Sequence, residues 1–129
     1  VHFFDWLLWT FGAAQSWQVH LRTPERMAGV LELERARVRW FLSVSAADLP
    51  FEVQPGKRSA YRSITLDGVE IEFTEGFTDL HTRIYQETLA GRGVGVAAVR
   101  PSIELVYRLR TTKITSAGDE GHPYLKRLV

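Results

Sequence analysis

The amino-acid sequence predicts an α+β fold: an open-faced, mainly antiparallel sheet with helices packed on one face. Two hairpin patterns lie in the middle of the chain, helical patterns lie at its start and in its last third, and strands do not alternate with helices. Strands joined by hairpins and followed by helices are typical of α+β domains. Because 129 residues can enclose one hydrophobic core, we predict a single domain over residues 1–129.

The chain opens with "VHFFDWLLWTFG", which predicts a short helix from His2 to Phe11. Apolar residues recur at helical spacing, and Gly12 stands where helices commonly end. Since Trp6 and Trp9 leave little polar face, we expect this helix to be buried nearly all round. Residues 17–23, "WQVHLRT", then alternate apolar and polar side chains as a half-buried strand does.

The first hairpin is predicted in "GVLELERARVRWFLSVS", residues 29–45. A tight turn at Arg35-Ala36 gives the cross-strand pairs Glu34–Arg37, Leu33–Val38, Glu32–Arg39 and Leu31–Trp40. This register places opposite charges on one face and apolar pairs on the other, although Arg-Ala is unsuited to a type I′ turn. Val30 and Phe41 lie on the charged face, so we expect that face to meet a partner.

The second hairpin is predicted in "YRSITLDGVEIEF", residues 61–73, around Asp67-Gly68. Asp-Gly is among the strongest signals for a two-residue hairpin turn. The predicted core-face pairs are Leu66–Val69 and Ile64–Ile71.

Two further helices are predicted after the hairpins. One covers residues 78–91, with Thr78 as N-cap and Gly91 as stop signal. A glycine-rich connector over 91–99 leads to the last helix, residues 100–110, in which Pro101 is tolerable only near the first turn. One side of that helix carries Ile103, Val106, Tyr107 and Arg110, and an irregular tail follows the helix.

Composition narrows the classes of function. Sixteen basic and fifteen acidic residues give a net charge of +1, which argues against a nucleic-acid or anionic-membrane surface. The sequence holds no cysteine, which excludes disulfides and a thiol nucleophile and suits a reducing, cytoplasmic compartment. No apolar run approaches membrane-span length, and the opening segment lacks the features of a signal peptide.

Four histidines are the main candidates for chemistry. His2 and Asp5 share a helix face, so the Asp5 carboxylate is able to orient the His2 imidazole for proton transfer. The alternative is that the two residues have packing or capping roles, and these two residues considered by themselves favour that alternative. His81 is one helical turn from Tyr85, and the pair either binds a polar ligand or packs half-buried. His20 and His122 have no partner nearby in sequence. We predict no metal, because no metal-ligand spacing is present.

The stretch "GRGVGV" has glycines at 91, 93 and 95 and follows a helix. It is not the G-x-G-x-x-G fingerprint that opens a helix after a strand. We interpret it as a turn that needs positive φ, and the sequence contains no nucleotide-binding fingerprint.

Three stretches together resemble a known family: "VHFFDWLLWTFG", "ARVRWFLSV" and residues 61–110, from "YRSITLDG" to "VYRLR". They are similar to the C-terminal domain of the Gfo/Idh/MocA family of NAD(P)-dependent oxidoreductases. Within the family, the sequence most resembles the UDP-N-acetylglucosaminuronate 3-dehydrogenases of lipopolysaccharide O-antigen biosynthesis.

The resemblance implies a two-domain enzyme whose N-terminal Rossmann domain binds NAD and is absent from this chain. The domain at hand would bind a UDP-sugar and form a homo-oligomer through its open sheet face; alone it would be inactive. His2 matches the family histidine beside the oxidised sugar carbon, and Asp5 would orient it. Tyr61, Arg62 and His81 lie in motifs of the subgroup and are candidate substrate-binding residues.

Two alternatives stay open at this stage. One is a non-catalytic α+β binding or assembly module. The other is a small ligand-pocket enzyme that uses His2 and Asp5 as acid and base, which would be active as these 129 residues.

Overall fold

A computed structural model describes residues 1–51, 60–75 and 79–128. The helices and strands are α1 (His2–Phe11), β1 (Ala14–Arg22), β2 (Arg26–Leu33), β3 (Arg37–Ser43), β4 (Ser63–Leu66), β5 (Val69–Glu72), α2 (Leu80–Leu89) and α3 (Val96–Thr111). Short 3₁₀ turns lie at Ala46–Asp48, Gly118–Glu120 and Pro123–Arg127. The chain divides into two compact units, residues 1–44 with 95–129, and residues 45–94. The α+β class is confirmed.

The first unit is built on a three-stranded antiparallel sheet in the order β1-β2-β3. Helices α1 and α3 pack on one of its faces, as predicted. The buried cluster comprises Phe4, Leu7, Val19, Leu31, Leu33, Trp40, Leu105 and Leu109. Alternate strand residues supply the sheet's share of this cluster, which is the period-2 pattern that a half-buried sheet requires.

The first hairpin forms, but its register differs from the predicted one by two residues. Leu31 pairs with Val38 and Glu32 with Arg37, and the Leu33 amide closes the loop on the Ala36 carbonyl at 2.8 Å. The two-residue shift keeps every side chain on its predicted face. The predicted two-residue turn does not form, because Arg-Ala is unsuited to a type I′ turn, and Arg35 in the longer loop instead donates to the C-terminal end of α1.

The chain's own C-terminal segment covers the part of this sheet's outer face that surrounds Phe41, whereas Gln18 and Arg39 on the same face are exposed. Val30 is only 3% exposed, and the Phe41 ring contacts the rings of His122, at 5.8 Å, and Tyr124, at 5.3 Å. Of the two residues that we expected to meet a partner, Phe41 is therefore contacted by the chain's own C-terminal segment, and a partner on the rest of this face stays a prediction.

The second unit contains the hairpin β4–β5 and helix α2. The predicted register is confirmed, with Leu66 paired to Val69 and Ile64 to Ile71. The predicted core face is nevertheless open to solvent: Val69 is 65% and Ile71 47% exposed. The alternating pattern identified the apolar face correctly, but burial depends on a covering element that the described residues do not supply.

The later helices differ from prediction at their starts. The N-cap of α2 is Asp79 and not the predicted Thr78, which lies outside the described residues, and α2 ends before Gly91, whose φ is 75°. Helix α3 begins at Val96, inside the predicted connector, because Gly95 serves as N-cap and the alanines after it favour helix. Pro101 therefore lies beyond the first turn, where it removes one i→i−4 hydrogen bond.

Helix α3 buries a different side from the one formed by Ile103, Val106, Tyr107 and Arg110. Its buried stripe is Ser102, Leu105 and Leu109, whereas Ile103 and Tyr107 are exposed. Leu105 and Leu109 are four residues apart and so lie on one helix face. Within the described ranges, none of the helices is long and apolar enough to cross a membrane.

Candidate functional site

Helix α1 fixes the position of His2 through its buried side. Phe4 and Leu7 are buried, and the Phe4 ring meets the buried Trp40 ring edge to face, with centroids 5.2 Å apart. Such a pair adds about 0.5–1.5 kcal/mol beyond the burial of its area. His2 thus projects from a helix that is anchored in the core two residues further on.

The other end of α1 is held by the loop between β2 and β3. Gly12 ends the helix with φ 88°, and its amide donates to the Leu8 carbonyl at 3.0 Å. The Arg35 amide donates to the Phe11 carbonyl at 3.0 Å, and the Arg35 guanidinium donates to the Thr10 carbonyl at 2.7 Å. These donors satisfy carbonyls that a helix C-terminus leaves unpaired.

The outward side of α1 carries the candidate acid-base pair together with two tryptophans. His2, Asp5, Trp6 and Trp9 follow the i, i+3, i+4, i+7 spacing of one helix face. The prediction that this helix is buried nearly all round is wrong, since Trp9 is 85% exposed and Trp6 36%. Apolar composition indicated burial all round, but Trp6 and Trp9 lie on the side of the helix away from the core cluster.

His2 and Asp5 lie on one side of α1 without a bond between them. His2 is exposed and Asp5 partly exposed, and among the described residues neither forms a hydrogen bond or ion pair with the other's side chain. The Asp5 carboxylate lies in the first turn, where a negative charge is favoured by the helix dipole.

Tyr61 and Glu70 form a hydrogen bond across the mouth of the β4–β5 hairpin. The Tyr61 hydroxyl donates to the Glu70 carboxylate at 2.6 Å. That bond lowers the pKa of Glu70, helped by Ser63, and raises the pKa of Tyr61. Glu70 is exposed and Tyr61 partly exposed, so screening by water keeps the energy of the pair small.

Arg62 extends the same hairpin through its backbone and its side chain. Its carbonyl accepts from the Phe73 amide at 2.9 Å, its amide donates to the Thr74 hydroxyl at 3.0 Å, and its guanidinium donates to the Thr74 carbonyl at 3.1 Å. Tyr61 and Arg62 are therefore both engaged with their own hairpin in this state.

His81 lies in the first turn of α2 and is exposed, as is Tyr85 one turn later. The interpretation of these two residues as half-buried packing is wrong for this chain. Tyr61, Arg62 and His81 all belong to the second compact unit, whereas His2 and Asp5 belong to the first.

No metal site emerges from the part of the chain that the structure describes, because it holds no cluster of three or more metal-ligating side chains. The glycine-rich stretch has the turn role that we predicted at Gly91, where φ is positive. Gly95 is instead the N-cap of α3, with φ −83°.

Sequence reasoning missed the cluster around His122. This ring stacks on Phe41, and its Nδ1 accepts a hydrogen bond from the Tyr124 amide at 3.2 Å. Burial, and secondarily the charge of Arg39, lower the pKa of His122 below its ordinary value of 6.5. The only signal in the sequence is His-Pro, which is typical of a helix start, because Phe41 is far away along the chain.

His20 is the second histidine that faces the C-terminal segment. Its Nε2 lies 3.2 Å from the Gln18 side-chain oxygen, and its Nδ1 is buried without a partner among the described residues. Burial lowers the pKa of His20, opposed in part by the charge of Glu120.

Comparison with known structures identifies what the chain is similar to. It superimposes on the WlbA (WbpB) dehydrogenase from Thermus thermophilus in complex with NAD and α-ketoglutarate, with a TM-score of 0.85 and 48% sequence identity over 95% of its length. The same dehydrogenase in complex with NAD and UDP-GlcNAcA gives a TM-score of 0.85 and 47% identity, again over 95%. No family model matches the chain.

The chain spans 40% of the length of these dehydrogenase chains. The resemblance that its sequence bears to part of such an enzyme is thereby confirmed.

Proposed function

We propose that this chain is the substrate-binding and oligomerisation domain of an NAD-dependent nucleotide-sugar dehydrogenase. The enzyme would oxidise the C3 hydroxyl of a UDP-N-acetylaminosugar uronate in the cytoplasm, for lipopolysaccharide O-antigen biosynthesis. The observation that carries the proposal is the match, at 47% identity and a TM-score of 0.85, to a dehydrogenase that binds NAD and UDP-GlcNAcA.

The residues of this chain do not fit an NAD site of their own. The sequence contains no strand-turn-helix glycine fingerprint, and the glycines at 91 and 95 end one helix and begin the next. In the proposal, NAD is bound by a Rossmann domain encoded outside these 129 residues. NAD supplies the hydride acceptor, so the isolated chain is expected to be inactive.

His2 is the proposed proton acceptor. Oxidation of a secondary alcohol removes the hydroxyl proton together with a hydride, and an exposed neutral imidazole can take that proton near neutral pH. Burial of Phe4 and Leu7 holds the first turn of α1 in place, which fixes the Cα of His2. Asp5, on the same side of the helix, would turn toward the imidazole and stabilise it once it is charged.

Tyr61, Arg62 and His81 are proposed to contact the UDP-sugar. A guanidinium suits phosphate and carboxylate groups, which it binds with two parallel hydrogen bonds. The Arg62 guanidinium meets a neutral backbone carbonyl of Thr74 in this state. Exchange of that carbonyl for an anionic oxygen would strengthen its hydrogen bond.

The proposed homo-oligomer forms through the apolar face of the second hairpin. Leu66, Val69 and Ile71 are exposed together there, whereas Phe41 on the outer face of the three-stranded sheet is contacted by the C-terminal segment. A two-stranded hairpin is marginally stable without a covering layer, which supports a second copy as the cover.

His2→Asn in the full-length enzyme tests the catalytic proposal. We expect kcat for NAD reduction with UDP-GlcNAcA to fall roughly 10²- to 10⁴-fold, which is the rate enhancement that a general base typically contributes. We expect little change in KM. His122→Asn is the matched control, since it removes a histidine outside the proposed site. Unchanged turnover in His2→Asn would remove the catalytic role.

The same assay separates the proposed function from a binding or assembly module. A wild-type full-length protein that binds UDP-GlcNAcA but reduces no NAD would support the module instead.

Ile71→Lys tests the proposed interface. A lysine in the centre of an apolar contact must be desolvated, so we expect light scattering to show a smaller assembly. Thr65→Lys is the control, because Thr65 lies on the opposite face of the hairpin. Equal masses for Ile71→Lys and wild type would refute this interface.

A further inference from the structure

The C-terminal strap, which we define as residues 112–128, leaves α3 and lies along the sheet. The Arg22 guanidinium donates to the Thr112 carbonyl at 2.8 Å, and the Trp17 indole donates to the Thr112 hydroxyl at 2.9 Å. The Thr115 amide then donates to the Val19 carbonyl at 2.9 Å. The start of the strap is therefore fixed to the edge strand β1 by groups that do not titrate near neutral pH.

The far end of the strap is held differently, by His122. The imidazole stacks on Phe41 with an interplanar angle of 25°, and it is the N-cap of the turn Pro123–Arg127. Its Nδ1 accepts from the Tyr124 amide, which is possible only when Nδ1 carries no proton. The contact thus requires one protonation state of one ring.

We propose that the C-terminal strap is a pH-sensitive clasp: neutral His122 docks it on Phe41, and protonation of His122 releases it. On protonation, Nδ1 gains a hydrogen and can no longer accept a hydrogen bond. Its N–H then faces the N–H of the Tyr124 amide. The N-cap is then lost and the turn that it begins loses its first side-chain acceptor. Release uncovers Phe41 on the outer face of the sheet.

The charged groups around His122 favour this direction. Arg39 on β3 repels a second cation, and the Arg127 guanidinium lies 4.4 Å from the Tyr124 ring centroid. Glu120 would attract an imidazolium, but it is bound to the Arg37 guanidinium. On β1, His20 interacts electrostatically with Glu120 in the strap, whose negative charge acts to raise the pKa of His20.

The sign of the pH effect follows from the lowered pKa of docked His122. A released His122 has an ordinary pKa near 6.5, so the released state binds the proton more tightly than the docked one. Docking is therefore complete above that value and weakens as the pH falls below it. Once the pH is well below both pKa values, the equilibrium constant for docking has fallen by a fixed factor. That factor is the ratio of the acid dissociation constants of docked and released His122.

Amide hydrogen exchange by mass spectrometry on the full-length protein tests the clasp. Labelling at about pH 7.5 and about pH 5.5, with times scaled to the intrinsic chemical rate, brackets the titration of histidine. We expect the protection of peptides within 118–128 to fall several-fold at the lower pH. Peptides from β2 should keep their protection.

Two variants at one position separate the clasp from a general acid effect. His122→Asn retains an N-cap acceptor that does not titrate, so we expect protection of the strap to be the same at both pH values. His122→Ala lacks the acceptor, so we expect low protection at both. Glu120→Gln, which weakens the ion pair with Arg37, should lower protection at both pH values and keep the wild-type pH dependence.

Three results would overturn the proposal. The first is wild-type protection that does not change between the two pH values. The second is His122→Asn with the same pH dependence as wild type, which would assign the effect to His20 or a carboxylate. The third is a His122 pKa at or above 6.5, measured by exchange of its ring C–H.

Discussion

Leu109→Ala tests whether the face of α3 identified by the structure carries the stability of the first unit. Leu109 is 1% exposed and contributes to a cluster with Val19, Leu31 and Trp40, all at most 1% exposed. Truncation removes three carbon groups, or about 2.4 kcal/mol at 0.8 per group. The strands and the indole around it cannot collapse easily, so a cavity penalty brings the total loss to about 3–4 kcal/mol.

The measurement is urea unfolding followed by the fluorescence of the four tryptophans, of which Trp40 lies within the same cluster. With a slope of about 2 kcal/mol per molar, the expected loss lowers the midpoint by about 1.5–2 M. Ile103→Ala on the same helix is the control: Ile103 is 50% exposed, and the helix preference of alanine offsets part of its lost burial, so we expect less than about 1 kcal/mol. Equal losses for the two variants, or a Leu109→Ala loss below about 1 kcal/mol, would refute the assignment of the buried face.

Three smaller predictions follow from single contacts. Tyr61→Phe removes the hydrogen bond that lowers the pKa of Glu70, so an NMR titration should show the pKa of Glu70 rising toward 4.5. Because the pKa of Glu70 is lowered in the native state, the small stabilisation from this bond is present above pH 4.5 and is lost as the pH falls. Arg35→Ala removes a donor to the Thr10 carbonyl and should cost about 0.5–1.5 kcal/mol in urea unfolding. Arg22→Lys replaces a forked guanidinium with one ammonium group, so hydrogen exchange at the end of α3 should speed up.

The second hairpin illustrates what a local pattern determines. Asp67-Gly68 adopts positive φ at both residues, as a type I′ turn requires. That turn set the register of β4 and β5 without help from the rest of the chain. The first hairpin has no such turn, and its register was settled by Arg35, which donates to the C-terminal end of α1.

The candidate site was predictable to a similar degree. Helical spacing placed His2 and Asp5 on one side of α1, and the structure agrees. Spacing did not predict that no bond joins them, because side-chain torsions depend on what lies opposite. Nor did it reveal that Trp6 and Trp9, which the same spacing places on that side, are exposed.

The sequence by itself determined the α+β class, the limits of α1 and the turn of the second hairpin, since these depend on residues within a few positions of one another. It also carried the similarity to a dehydrogenase. Only the tertiary structure decided which apolar residues are buried, why the first hairpin shifts by two residues, and how His122 meets Phe41. Those outcomes depend on contacts between residues far apart in the chain, whose energies no local pattern contains.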